Sequence, residues 1–228
     1  IHGGRAEAEV RPGVPAGPAG PVAIDLAAPA GGLATAGGDR LLGIDIGVEH
    51  APRDAWVRGD DLVATWESGD ERDLVTTALW RRDGAPGLVV DAGIDAFVIV
   101  ASATTRLLQA DSTLAVTSSL AADAVLSARW DGAKPGRPTE KIDPRDGIHL
   151  VRRGDGTSVL IAIHPADHQA STIVRAGDRV RIACWLFAAG AEKGVLLRSR
   201  VLAAVGPAEG DLEWTRALAA RFADLPPE

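Results

Sequence analysis

Methionine and tyrosine are missing from all 228 residues, cysteine occurs once, and no apolar run is long enough to cross a bilayer. Each absence removes something. The single thiol, Cys184, excludes an internal disulfide and any multi-cysteine metal site. Inside the apolar run Val180 to Phe187 it reads as a small core residue rather than a nucleophile. With nothing approaching ~20 continuous apolar residues, the chain has no membrane-spanning helix, and a soluble protein, cytoplasmic or secreted, is expected. With no Met, the chain reads as trimmed, engineered or processed ahead of Ile1, which leaves room for a removed signal peptide. Positive charge is also short: 24 Lys and Arg against 31 Asp and Glu give a formal net charge of -7. Nucleic-acid binding needs a basic face to displace counterions, and this balance argues against it. The pairs Arg81-Arg82 and Arg152-Arg153 read as solvated strand ends. Missing too are Gly-x-Gly-x-x-Gly, the Walker loop, Gly-x-Ser-x-Gly and His-Glu-x-x-His. No cofactor and no metal are therefore expected.

What is present is a period of two. Hydrophobic residues make up 46% of the chain, enough for a core without staples. Residues 1–21, in which Pro and Gly alternate from Arg11 to Pro21, read as a disordered or extended tail; residues 22–228 read as one domain. In Leu42 to Val48, positions 42, 44, 46 and 48 share a face. Asp61 to Trp66 and Leu74 to Arg82 flank a polar turn and form a hairpin, as do Ile148 to Arg152 and Thr157 to His164 around Gly154-Asp-Gly156. Further strands are expected within 87–100, 113–120, 124–130, 178–187 and 194–205, with a long break over 131–147. One helix, 211–225, stands out near the end. Asp211 reads as its N-cap, Trp214, Leu218, Phe222 and Leu225 form its apolar stripe, and Pro226-Pro227 stops it. Strands without strand-helix alternation predict a mainly β fold, a two-layer antiparallel sandwich with one C-terminal helix.

The candidate chemistry is local. In His164-Pro-Ala-Asp-His168 two imidazoles and a carboxylate could hold a metal or work as acid and base, although a strand-end imidazole hydrogen-bonded to backbone is the plainer reading. Trp66 and Trp80 lie on opposite arms of one hairpin, either as core anchors or as a platform for sugar rings. Asp70, Glu71 and Asp73, with Glu67 just before them, could supply carboxylates for glycoside hydrolysis or calcium, although a turn is commonly acidic simply because it is wet. Arg198 and Arg200 share a strand face, as do Arg179 and Arg181, and such pairs can grip an anion.

Three segments resemble a known group: Trp56-Val-Arg-Gly-Asp-Asp-Leu-Val-Ala-Thr-Trp66, Val159-Leu-Ile-Ala-Ile-His-Pro-Ala-Asp-His168 and Glu192-Lys-Gly-Val-Leu-Leu-Arg-Ser-Arg-Val201. With the terminal helix they resemble uncharacterised bacterial β-sandwich proteins, chiefly from planctomycetes. That architecture is similar to the supersandwich of the galactose mutarotase-like group, whose paired His and Glu base have no counterpart here. The resemblance implies carbohydrate contact. The expectation is thus a non-catalytic ligand- or carbohydrate-binding module, with Trp66, Trp80, His164, Asp167 and Arg198 as its site. The alternative is an epimerase- or lyase-like enzyme working through His164 and a carboxylate, Asp167 or Glu67.

Overall fold

The alternating strands pair into two large antiparallel sheets in the computed structural model, which describes residues 7–9, 17–46, 51–59, 61–82, 87–187 and 190–226. In chain order the strands are β1 (Glu7–Glu9), β2 (Val22–Asp25), β3 (Leu33–Thr35), β4 (Arg40–Asp45), β5 (Asp54–Arg58), β6 (Asp61–Glu67), β7 (Leu74–Arg82), β8 (Asp95–Thr105), β9 (Gln109–Ala110) and β10 (Leu114–Ala121). There follow β11 (Ala124–Ala128), β12 (Trp130–Asp131), β13 (Lys134–Pro135), β14 (Ile148–Arg152), β15 (Thr157–Ile163), β16 (Ala170–Ala176), β17 (Arg179–Leu186), β18 (Ala191–Glu192), β19 (Leu197–Pro207) and the helix α1 (Asp211–Ala223). The smaller sheet runs β1-β2-β3-β4-β10-β17-β16, and the larger runs β11-β14-β15-β19-β8-β7-β6-β5. Both predicted hairpins form, β6 with β7 and β14 with β15.

The inner faces of the sheets meet in one core. It includes Leu62, Trp66, Trp80, Phe97 and Ile99 from the larger sheet and Ile44, Val116, Leu120, Ile182 and Leu186 from the smaller. Cys184 lies there too, and burial pushes its thiol up to about 12, so it stays protonated and inert. A second apolar layer forms on the back of the larger sheet. There Ala96, Val98, Leu160, Ala162, Leu202 and Ala204 meet Trp214, Leu218, Phe222 and Leu225 of the helix stripe. The helix sits close because Gly206 has no side chain: a Cβ there would come within 2.9 Å of the Trp214 ring.

Several expectations need correction. The tail is tied down in part: β1 pairs with β2, and the Ala19 N–H donates to Asp95 at 2.9 Å. Alternation breaks in β4, where Leu41 and Leu42 both enter the core. A register shift against β10 and a positive φ of 54° at Leu42 make that possible. Val48 of the expected strand lies outside the described residues. Asp211 is not the N-cap, which is Gly210. Its carboxylate instead accepts from Arg152 at 2.7 and 2.9 Å and from Ser158 at 2.9 Å, fastening the start of α1 to the sheet.

Candidate functional site

Helix α1 covers only part of the larger sheet's outer face. Over β5 to β8, one strand register further along, that face stays open. The rows can be read from the pairing. Asp54 faces Thr65, Thr65 faces Thr77, Thr77 faces Ser102, and Ser102 faces Arg198. The adjacent row runs Trp56, Val63, Leu79, Val100, Arg200. Trp56 is 41% exposed, Val63, Thr65, Thr77 and Ser102 are half-buried, and Leu79, also half-buried, packs against the edge of the layer under α1. From β5 to β19 there are four strand spacings, about 19 Å.

This surface combines three chemistries. An indole at one end offers an apolar face. The hydroxyls of Thr65 and Thr77, 3.3 Å apart, and of Ser102, which donates to the Thr77 carbonyl at 3.4 Å, form a rail across the middle. At the far end Arg198 is exposed and makes no hydrogen bond or ion pair among the described residues. An apolar face beside spaced donors and acceptors suits a ligand that is itself amphiphilic on its two faces.

The border between the open and covered areas is a buried ionic cluster. Arg200 is 4% exposed. Its Nε donates to Asp167 at 3.1 Å, one terminal nitrogen donates to the Pro226 carbonyl at 2.8 Å, and the other donates to His164 Nδ1 at 2.9 Å. The Arg200 backbone N–H also reaches Asp167, at 3.0 Å, and the His164 N–H returns to the Arg200 carbonyl at 3.0 Å. Because Nδ1 accepts, the proton of neutral His164 sits on Nε2. That nitrogen faces the Ala223 and Leu225 carbonyls at the end of α1 without closing a well-formed hydrogen bond, and Phe222 meets the ring edge-on at 5.3 Å. Burial, and then the Arg200 charge, lower the His164 pKa against a smaller opposing pull from Asp167. The cluster is a clamp on the helix end.

The expected site residues therefore divide. Arg198 belongs to the open surface, and His164 and Asp167 do come together, 4.0 Å apart, at its border. Both are committed to Arg200 rather than open to a substrate. Glu67, the other carboxylate considered for acid-base work, is ion-paired with Arg53. Trp66 and Trp80 do not form a sugar platform. At 1% and 2% exposure they fill the inter-sheet core as an edge-on pair with ring centres 6.4 Å apart, and the Trp80 Nε1–H donates to the Leu42 carbonyl at 2.8 Å. The reason is alternation itself: 62 and 66 carry the large apolar groups of β6, so that face turns inward with Ala64, and 63 and 65 turn out. The exposed tryptophan is Trp56, on an edge strand that its charged neighbours Arg53, Asp54 and Arg58 could have signalled.

The remaining candidates are also engaged. Arg179 and Arg181 pair with Asp39 and Asp45 at 3.2 and 3.1 Å, and Asp70 and Asp73 pair with Arg72 and Arg106. Inside the sandwich His149 shares a 2.9 Å hydrogen bond with Ser127, and burial, with a smaller contribution from nearby His168, lowers its pKa to about 3. Among the described residues no three His, Cys, Asp or Glu side chains converge as a metal site. A separate open hollow of about 590 Å³ lies between β13 and α1, its floor the apolar Pro135, Leu212, Ala217 and Ala220. It brings no hydroxyl or aromatic group to a common point, so the open sheet surface is the better candidate. No protein-family model matches the chain, and no curated protein matches it in sequence.

Proposed function

We propose that the chain is a non-catalytic binding module that holds a carbohydrate chain across the open area of its larger sheet. The observation that carries this reading is a pair of adjacent rows: the exposed indole of Trp56 begins one, and Thr65, Thr77, Ser102 and Arg198, a guanidinium unpaired among the described residues, make up the other. A pyranose has an apolar face and an equatorial ring of hydroxyls. Trp56 supplies a stacking partner for the first, and Thr65, Thr77 and Ser102 supply partners for the second. The length of the row suits several linked sugar units rather than one. The resemblance to mutarotase-like sandwiches points to the same ligand class by analogy of architecture.

Binding is tested by affinity electrophoresis and Trp fluorescence titration against a panel of soluble polysaccharides. The expected result is retention by at least one glycan that Trp56→Ala reduces about tenfold, the equivalent of 1.4 kcal/mol. Arg198→Gln should weaken it less. Failure of the whole panel to bind, or binding that Trp56→Ala leaves unchanged, would sink the proposal.

A further inference from the structure

Each large sheet ends in two edge strands, β1 and β16 in the smaller, β11 and β5 in the larger. Three of them carry an obstacle to further pairing. β11 gives the N–H and C=O of Ser127 to Thr139, at 2.7 and 2.9 Å. β16 gives its Ser171 N–H to the Pro144 carbonyl at 2.8 Å. β1 carries Glu7 and Glu9 around Ala8, so an antiparallel second copy there sets acid against acid. Among the described residues, β5 meets no such obstacle over its whole length.

Strand parity fixes which groups β5 offers. Gly59, at a φ of 62°, lies in the two-residue turn that Arg58 and Asp61 close. A closing pair of this kind exchanges both main-chain hydrogen bonds, and alternation then bonds Trp56 and Asp54 to β6 as well. The Arg53 N–H also reaches the Thr65 carbonyl, at 2.8 Å, as where a bulge sets two residues against one. Ala55 and Val57 therefore turn their N–H and C=O groups away from the sheet. Trp56 at 41% and Val57 at 52% exposure put a large apolar side chain on each face of this edge.

We propose that β5 pairs antiparallel with β5 of a second copy of the chain, about a two-fold axis through Trp56. This register uses the whole strand. Ala55 and Val57 exchange main-chain hydrogen bonds with Val57 and Ala55 of the second copy. Trp56 meets its own counterpart at a close, non-hydrogen-bonded position, where aromatic pairs stabilise strand pairing. On the same face Asp54 falls opposite the second copy's Arg58, and Arg58 opposite its Asp54. Neither side chain has an ion-pair partner among the described residues, while nearby Arg53 is taken by Glu67 and Asp61 by Arg81. These two reciprocal charge pairs select a second copy over an arbitrary strand. The two larger sheets become continuous, and their open surfaces lie end to end, about 43 Å from one β19 to the other.

The dimer does not depend on the carbohydrate reading, and its test uses no glycan. So short a strand pair is small beside the ~1,600 Å² of a standard interface, so the association is of the weak, micromolar class. Sedimentation velocity of the full chain across the micromolar range should show a monomer–dimer equilibrium. Arg58→Asp should weaken it about tenfold by setting acid opposite acid, with unfolding curves unchanged. Adding Asp54→Arg to that change restores opposite charges and should bring dimerisation back to within about threefold of the parent. Val57→Pro, which removes an outward N–H, should abolish it. A monomer at every concentration up to about 1 mM overturns the proposal. So does a dimer that Arg58→Asp leaves intact, or one that the double change fails to restore.

Discussion

The outer face of the eight-stranded sheet is two surfaces built on one backbone. Beneath α1 its side chains are mainly apolar, Ala96, Val98, Leu202, Ala204, Leu160, Ala162 and Ile148, with Ser158 bonded to Asp211 at the helix start. Beyond the Arg200 clamp, on the same strands and their neighbours, Val63 and Leu79 alternate in rows with Thr65, Thr77 and Ser102. Strand pairing is continuous across the border, so hydrogen bonding of the sheet does not distinguish them. What differs is whether the side chains can satisfy themselves in water. Small aliphatics with no polar atom require a lid, and the amphipathic helix supplies it. Hydroxyls do not, and their surface remains available to a ligand.

The sharpest way to break the comparison is to remove the lid's anchor. Phe222→Ala should destabilise the protein by about 3–5 kcal/mol in denaturant unfolding, since the ring is fully buried against the sheet. A loss under 1 kcal/mol would mean that the helix is not needed there. Next comes the border. Arg200→Leu leaves Asp167 without its buried partner, and about 3 kcal/mol should be lost, as when one half of a buried pair is deleted. The release should be visible as faster hydrogen exchange in α1.

Acid should act on the same region. His149, His164 and His168 all have lowered pKa values, foremost through burial, so each binds a proton more readily unfolded than folded. Their stabilising contribution is complete above the unfolded value of 6.5 and declines as pH falls below it; for His149 the decline continues towards 3. For one such group the slope approaches about 1.4 kcal/mol per pH unit. A stability curve flat between pH 7 and 4 would contradict it, and His149→Gln should flatten part of that slope. The smallest effects belong to the open area: Trp56→Ala and Thr77→Ala should each change stability by no more than about 0.5 kcal/mol, even where Trp56→Ala removes binding. That separation of stability from binding is what a surface reserved for a ligand requires.

Local patterns carried much of this architecture. Period-two spacing located both hairpins, and the stripe Trp214, Leu218, Phe222 and Leu225 identified the helix and its buried face. What escaped was non-local. Asp211 looks like a cap until Arg152, 59 residues away, comes beside it. The edge strands β5 and β16 hide because an edge is polar and weakly patterned. Leu41 and Leu42 both point inward only because β10 accepts a bulge. At the site, Arg198 was legible as a cation on a strand face, whereas the choice between Trp56 and Trp66 required knowing which face of β6 turns inward.

The position of β19 has a consequence for synthesis. It is the last strand made, yet it lies inside the larger sheet between β15 and β8. Until residues 197–207 leave the ribosome, β5 to β8 and β11 to β15 are two separate ribbons, each ending in an unpaired, strongly apolar strand. A growing chain therefore carries the β8 edge open from residue 105, and the β15 edge as well from residue 163, until β19 is made, the condition under which strands find partners in neighbouring polypeptides. Nascent chains halted just before Leu197 should bind a holdase chaperone far more than chains halted after Pro207.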